Sequence, residues 1–370
     1  MNDNSRGVAL KLKLKNFRGI KEGSIELGKL TILIGANNSG KTTLLEALFL
    51  LPNPLRIVPY TTDGGRRKPV EILSVRHSTL GCEAYIFLYH NYSGREAKIS
   101  LLSRDSKVAE LMFEREGNWI RVFMMGKKGI WFLGMLSAIS TGIRPEERLR
   151  TTTFNERGKL VPSASVVDIL TEHYVSEDVG EVLYLHPRII PFAWNFLRGV
   201  WVELRAAGLT ARIAERVSEW VSGDYDDLLL EPFTGGRYTI YLRSRDGRGV
   251  RLGDVGDGLQ FATTLMLLYE YAKPRILAID DVESHVNPTL LKNLTQWIGE
   301  VLDRGTRVVL STHSLEVVKV MAGVLEDYEP KIVLTSLHNG ILRKKDLTLE
   351  EVERLEKAGV DVRLAEGIIL

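Results

Sequence analysis

The most specific chemistry in the sequence lies in Gly35-Ala36-Asn37-Asn38-Ser39-Gly40-Lys41-Thr42, a match without deviation to G-x-x-x-x-G-K-[ST]. Glycines at that spacing let backbone N–H groups close around phosphate oxygens, and a helix opening at the lysine adds the partial positive charge of its N-terminus. In such a loop Lys41 bridges the β- and γ-phosphates and the Thr42 hydroxyl ligates Mg²⁺. Gly35, Asn37, Asn38, Ser39, Gly40, Lys41, Thr42 and Thr43 are the expected nucleotide contacts. With no ligand, the same residues are a glycine-rich strand-to-helix turn.

A phosphate loop that holds a metal needs a second carboxylate. Ile276-Leu277-Ala278-Ile279-Asp280-Asp281 offers one, four apolar residues followed by acid, at the edge where open α/β sheets bind ligands. Asp280 is the expected partner of Mg²⁺, through water. Asp281 is placed to polarise an attacking water, and Glu283 lies two residues on. The alternative is an acidic loop after a core strand. His313, in Leu310-Ser311-Thr312-His313-Ser314, ends the next apolar run. It either donates to a γ-phosphate and senses its loss, or is a structural histidine.

These residues need elements that carry them to one place. Leu10, Leu12 and Leu14 alternate with Lys11, Lys13 and Lys15, the period of a strand with one apolar and one basic face. A short strand over 24–27 and a buried strand over 30–34 follow, then a helix over 41–50. Segments 83–89, 97–102, 109–114 and 119–124 read as strands of an antiparallel meander. Residues 192–221 read as two helices broken at Gly208, and 238–244 with 248–252 as a hairpin around Arg245-Asp246-Gly247. A helix over 259–271, strand 276–279, helix 288–302 and strand 307–310 complete the pattern. A short amphipathic helix over 348–357 is either a solvated surface element or a docking element. The alternation of strand and helix at both ends predicts a parallel α/β core assembled from the two ends of the chain.

The composition suits a soluble globular chain: 370 residues, 44% hydrophobic and 26% charged, enough for one large domain or two modest ones. Disordered, collagen-like and small disulfide-stapled classes are excluded. With 49 basic against 47 acidic residues the net charge is +2, so a nucleic acid or membrane partner must be held by a local patch. The lone Cys82 excludes a disulfide framework or cysteine zinc site within one chain. No apolar run approaches a membrane span and residues 1–13 lack the apolar stretch of a secretory signal, so a cytoplasmic location without a membrane partner is expected. Only Gln260 and Gln296 represent glutamine, which fits a thermophile source or a bias of codon use.

The motifs in this order resemble the ABC-type ATPase heads, and more narrowly the RecF/SMC/OLD-like branch. Lys15-Asn16-Phe17-Arg18-Gly19-Ile20 is similar to that branch's "NFRGI" segment, which implies that Arg18 approaches the nucleotide phosphates. The run from Asp280 to Pro288, DDVESHVNP, is similar to the branch's "DEPExHLHP" run. Gly253-Asp254-Val255-Gly256-Asp257-Gly258-Leu259-Gln260 resembles the signature motif, which implies that Gly256, Asp257 and Gly258 contact the γ-phosphate held by a second protomer. Three departures stand out. The residue usually assigned as base is glutamate, and here it is Asp281; the usual signature serine is Gly256; and no glutamine lies between Gly35 and Gly258 to serve as the Q-loop residue. The absence of heptads between the motifs excludes the long arms of cohesin and condensin. The residues after His313 are too few for the Toprim domain of full OLD proteins, and the degenerate signature disfavours a transporter ATPase.

The resemblance implies an α/β fold, a P-loop NTPase of the ABC-head type with an antiparallel β subsheet and a helical lobe. Residues 1–130 and 236–370 form the nucleotide-binding lobe and 131–235 a mainly helical lobe. The expected activity is slow Mg²⁺-dependent ATP hydrolysis that drives a head-to-head homodimer, in DNA repair or defence, with Lys41, Asp281, Glu283 and His313 as catalytic groups. Motion of the helical lobe would pass the nucleotide state to a partner. The alternative is an ATP-gated regulatory or scaffold module for a separate effector such as a nuclease. Lys11, Lys13 and Lys15, with Arg66-Arg67-Lys68, either contact duplex DNA phosphates or are a solvated basic face on an edge strand.

Overall fold

Four apolar strands that run the same way explain how distant motifs meet. β3 (Leu30–Ile34), β11 (Val182–Leu185), β15 (Ile276–Ile279) and β16 (Arg307–Ser311) stand in the order β11-β15-β16-β3, every neighbouring pair parallel. All residues of β3, β11 and β15 are buried, as expected of strands covered on both faces. Because the strands are parallel, the residues after their C-terminal ends share one edge of the sheet. The chain is described here from a computed structural model, which describes residues 9–61, 65, 67–80, 83–127, 129–140, 143–144, 151–154, 160–163, 175–221, 223–284 and 286–363.

The parallel strands are one end of a 13-stranded sheet. Next to β3 lies β17 (Lys331–His338), which turns back antiparallel into β18 (Ile341–Leu347). β18 meets β2 (Ile20–Leu27) through one register pair, Ile341 with Glu22, supported by the Lys21 and Glu22 N–H groups, which both donate to the Gly340 carbonyl at 2.7 and 3.3 Å. Gly23 leaves no room for a side chain there, because Leu342 packs on it. From β2 the sheet continues antiparallel through β1 (Leu10–Phe17), β4 (Glu96–Ser103), β5 (Ser106–Glu116), β6 (Trp119–Gly126), β7 (Gly129–Ser137) and β8 (Ile143–Arg144). β9 (Thr151–Phe154) and β10 (Leu160–Ser163) pair separately, and β12 (Tyr225–Pro232), β13 (Tyr238–Ser244) and β14 (Gly249–Arg251) form a small sheet.

Helix α1 (Lys41–Leu50) is buried over nearly its whole surface, and α2 (Pro69–His77) packs beside it. Three helices, α3 (Ile190–Gly199), α4 (Trp201–Ala206) and α5 (Leu209–Val221), are followed after the small sheet by α6 (Asp257–Ala272). α7 (Pro288–Asp303) starts with Pro288 after Asn287, whose side chain accepts the Leu290 N–H at 2.8 Å. α8 (Leu315–Val324) is capped by Ser314, and α9 (Leu349–Lys357) by the reciprocal pair Thr348 and Glu351.

Three sequence expectations change. Residues 83–89 are not a meander strand: Tyr85–Leu88 is a short 3-10 helix whose Tyr85 and Leu88 point into the core. The segment 131–235 is not mainly helical at its start, because Gly129–Ser137 extends the antiparallel sheet; its alternating Trp, Phe, Leu and Met pair with β6 across a bulge at Val122/Phe123. Finally, β1 is not an edge strand, since β2 and β4 flank it, although Lys13 and Lys15 remain exposed. Among the described residues no helix is long and apolar enough to cross a membrane.

Candidate active site

The phosphate loop leaves β3 at Gly35 and enters α1 at Gly40. Gly35 has φ +143°, and a Cβ there would stand 2.3 Å from the Thr335 carbonyl oxygen, so only glycine fits. Gly40, at φ +95°, is the N-cap of α1 and supplies no side-chain cap, which leaves the first-turn N–H groups for a ligand. Ser39 is buried and hydrogen-bonded to Thr335 at 3.1 Å. Lys41 Nζ donates to the Gly35 and Ala36 carbonyls, both at 2.9 Å, while Asn37 and Asn38 are exposed at the loop tip, Asn38 with φ +63°. Thr42 Oγ1 donates to Asp280 Oδ1 at 3.2 Å, and Thr43 is buried one residue further into α1.

Asp280 is fully buried at the end of β15 and is the most heavily engaged carboxylate of the site. Its Oδ1 also accepts from Ser311 Oγ at 2.5 Å, and its Oδ2 from Tyr184 OH at 3.0 Å and Arg76 Nη2 at 3.4 Å. Arg76 reaches in the other direction to Glu46, which is buried on α1 one turn after Thr42 and is also paired with Arg18 and with His77. Arg18, in the left-handed conformation at φ +52°, therefore spends its guanidinium on Glu46 and lies over the Phe87 ring. Burial, then the charge of Arg76, lowers its pKa to about 10. Burial, then Arg18 and Arg76, pushes His77 down to about 2, so it stays neutral.

Asp281 differs from its neighbour. Its backbone is left-handed at φ +51°, and its N–H donates to Ser311 Oγ at 3.0 Å. Its carboxylate lies between two imidazoles: His313 Nε2 is 3.7 Å from Oδ1 and His186 Nε2 3.8 Å from Oδ2. Burial, then Asp280 and Glu283, raises its pKa above the ordinary aspartate value. Glu283 Oε1 accepts the backbone N–H of His313, so this carboxylate orients the histidine loop. The His313 carbonyl is further held by Arg363 Nη1 at 2.6 Å. Ser39, Lys41, Thr42, Asp280, Asp281, Glu283 and His313 thus share one edge of the sheet. His285, in the DDVESHVNP run, lies outside the described residues.

Gly256, Asp257 and Gly258 stand elsewhere. Gly256 is the N-cap of α6, with no side-chain cap and nothing within 4 Å of where a Cβ would be. The three residues border an open cavity of about 490 Å³ together with Trp220, Asn287 and Thr289. Sequence reasoning missed Tyr184, His186, Arg76 and Glu46. His186 follows four buried residues just as Asp280 does, and that shared form was the available signal.

Mg²⁺ suits the pair of hard oxygen donors, Thr42 and Asp280, which stand together beside the uncapped helix end. Among the described residues no group of three or more His, Cys, Asp or Glu is placed to hold a metal ion.

A family model described as "AAA ATPase domain" matches residues 10–103, and one described as "AAA domain, putative AbiEii toxin, Type IV TA system" matches residues 142–319. No curated protein matches the chain. Similar solved structures include the SMC head domain from Thermotoga maritima, 14% identical over 92% of this chain and 99% of that one, TM-score 0.44. Another is an Smc head bound to the C-winged helix domain of ScpA, 17% identical over 94% of this chain and 99% of that one, TM-score 0.49. A third is an Smc head with an extended coiled coil, bound to the C-terminal domain of ScpA derived from Pyrococcus furiosus. It is 15% identical over 95% of this chain and 98% of that one, TM-score 0.49. One AAA match spans the strand and helix of the phosphate loop, and the other spans the strands that end at Leu185, Ile279 and Ser311.

Proposed function

We propose that the chain hydrolyses Mg²⁺–ATP between two copies of itself, and that the head-to-head dimer acts on DNA in repair or defence. The observation that carries this reading is the division of phosphate-binding chemistry: one uncapped helix N-terminus stands with Lys41, Thr42 and Asp280, and a second, at Gly256, faces an open cavity. In the dimer Gly256–Gly258 of one copy would meet the γ-phosphate held by Lys41 of the other. Asp281 polarises the attacking water, His313 donates toward the γ-phosphate, and Glu283 holds His313 in place. Mg²⁺ on Thr42 and Asp280 supplies charge neutralisation of the phosphates. Turnover then comes mainly from positioning and electrostatic stabilisation. The exposed Lys13 and Lys15 on β1 support contact with DNA phosphates, and the toxin–antitoxin description of the family matched over 142–319 supports defence.

The test is steady-state ATP turnover, wild type against Lys41→Ala, with and without duplex DNA, beside the mass of the particle with ATP in Asp281→Ala. Turnover lost in Lys41→Ala, stimulated by DNA, and a dimer trapped in Asp281→Ala are the expected results. A monomer throughout would refute the shared site. A second reading, an ATP-gated module that controls a separate effector, is favoured by the short reach of Asp281 and the missing side chain at Gly256. ATP binding and dimerisation with no measurable turnover would select it.

A further inference from the structure

The strand β11 carries no recognised motif, yet it lies beside β15 in parallel register, Leu185 opposite Ile279, with the Asp280 N–H donating to the Leu185 carbonyl at 2.8 Å. The residue that follows it, His186, therefore arrives at the same sheet edge as Asp280 and Asp281. His186 is 7% exposed. Its Nδ1 accepts the backbone N–H of Arg188 at 3.0 Å, so the ring proton of the neutral imidazole sits on Nε2. That Nε2 is 3.8 Å from Asp281 Oδ2, on the opposite side from His313.

We infer that His186 is a positioning residue for Asp281, donating its Nε2–H to the carboxylate and fixing it in the orientation from which it acts on water. The inference rests on the reading of Asp281 as the water-polarising group. His186 does not compete for that role, because one ring nitrogen is taken by Arg188 and the other carries a proton. The need for a positioning group is specific to this chain. An aspartate is one methylene shorter than the glutamate usual in the branch, so its reach depends more on where its backbone and carboxylate are held. The backbone is held by the left-handed Asp281 and the Ser311 hydroxyl, and the two histidines flank the carboxylate. The gap of 3.8 Å exceeds a direct hydrogen bond. A small side-chain rotation closes it, and catalytic hydrogen bonds commonly tighten when substrate arrives.

The experiment is a double-mutant cycle on the full chain: kcat and KM for Mg²⁺–ATP, together with equilibrium binding of a fluorescent ATP analogue and the thermal midpoint. The variants are His186→Phe, His186→Gln, Asp281→Asn and the His186→Phe/Asp281→Asn double. The expected result is a fall in kcat of about 10- to 100-fold for His186→Phe, with KM and nucleotide affinity changed by less than about threefold. His186→Gln, which keeps an N–H donor, should recover much of the loss. The double variant should be no slower than Asp281→Asn alone, because His186 acts only through Asp281. Wild-type kcat in His186→Phe, or losses that multiply in the double variant, would overturn the inference. Wild-type kcat in Asp281→Asn would remove the reading of Asp281 itself, a separately visible failure. Should His186→Phe not fold, His186→Leu takes its place in the cycle.

Discussion

Helices α1 and α6 both begin at a glycine with no side-chain cap, and they are otherwise opposites. α1 starts at Gly40, whose φ of +95° demands glycine, and its first turn is buried beside Lys41. α6 starts at Gly256 with φ −58° and ψ 144°, a conformation open to any residue, and nothing stands where a side chain would go. Glycine at position 40 answers a demand of the chain's own backbone. At position 256 it answers no such demand, so any requirement there comes from what docks against it. The phosphate loop is built by folding, whereas in the proposed dimer Gly256 is the part left open to a second copy.

The largest test of that contrast is Lys41→Ala, which should lower ATP turnover by about 10³-fold while the thermal midpoint stays near that of wild type. Gly35→Ala should break the built half through folding: its Cβ meets the Thr335 carbonyl, and about 2–3 kcal/mol of stability should be lost in a denaturant titration. Gly256→Arg should do the reverse, leaving stability within about 0.5 kcal/mol but removing the ATP-dependent dimer in a sedimentation measurement. If Gly256→Arg unfolds the protein, the contrast fails. Tyr184→Phe removes a hydroxyl that donates to buried Asp280 and should cost about 1.5 kcal/mol, seen as a lowered thermal midpoint.

The smallest effect concerns pH. His77 is neutral in the folded chain down to about pH 2, whereas the unfolded chain takes up its proton near 6.5. The unfolded state thus binds more protons between those values, and this group's contribution to stability is lost as pH falls below about 6.5. His77→Phe should flatten the decline of the thermal midpoint below pH 6.5; an unchanged slope would show that His77 is not held neutral.

Much of the built half was legible in the sequence. Gly35 to Thr42 carries its own chemistry in its spacing, and Asp280 is marked by four apolar residues before an acid. His186 has that form too, after Val182–Leu185, but a single histidine after a short apolar run carries no motif and its strand is recognised only once it pairs with β15. Arg76 and Glu46 were illegible for another reason. They are charged residues on helices, the pattern of a solvated surface, and only the packing of α2 beside α1 buries them together against Asp280. Arg18 shows the same limit from the other side: the resemblance directs it to phosphate, while tertiary structure gives it Glu46 as a partner.

The narrow join between β18 and β2 has a mechanical consequence. A sheet resists bending across its strands in proportion to the rungs that cross each seam, and this seam has one register pair, Ile341 with Glu22, where its neighbours have many. Among the described seams it has the fewest register pairs, with β7 and β8 next at two. Leu342, which fills the seam against Gly23, also lies 3.3 Å from where a Cβ would stand at Gly40. The phosphate loop therefore rests against the seam of the sheet that the fewest backbone pairs cross.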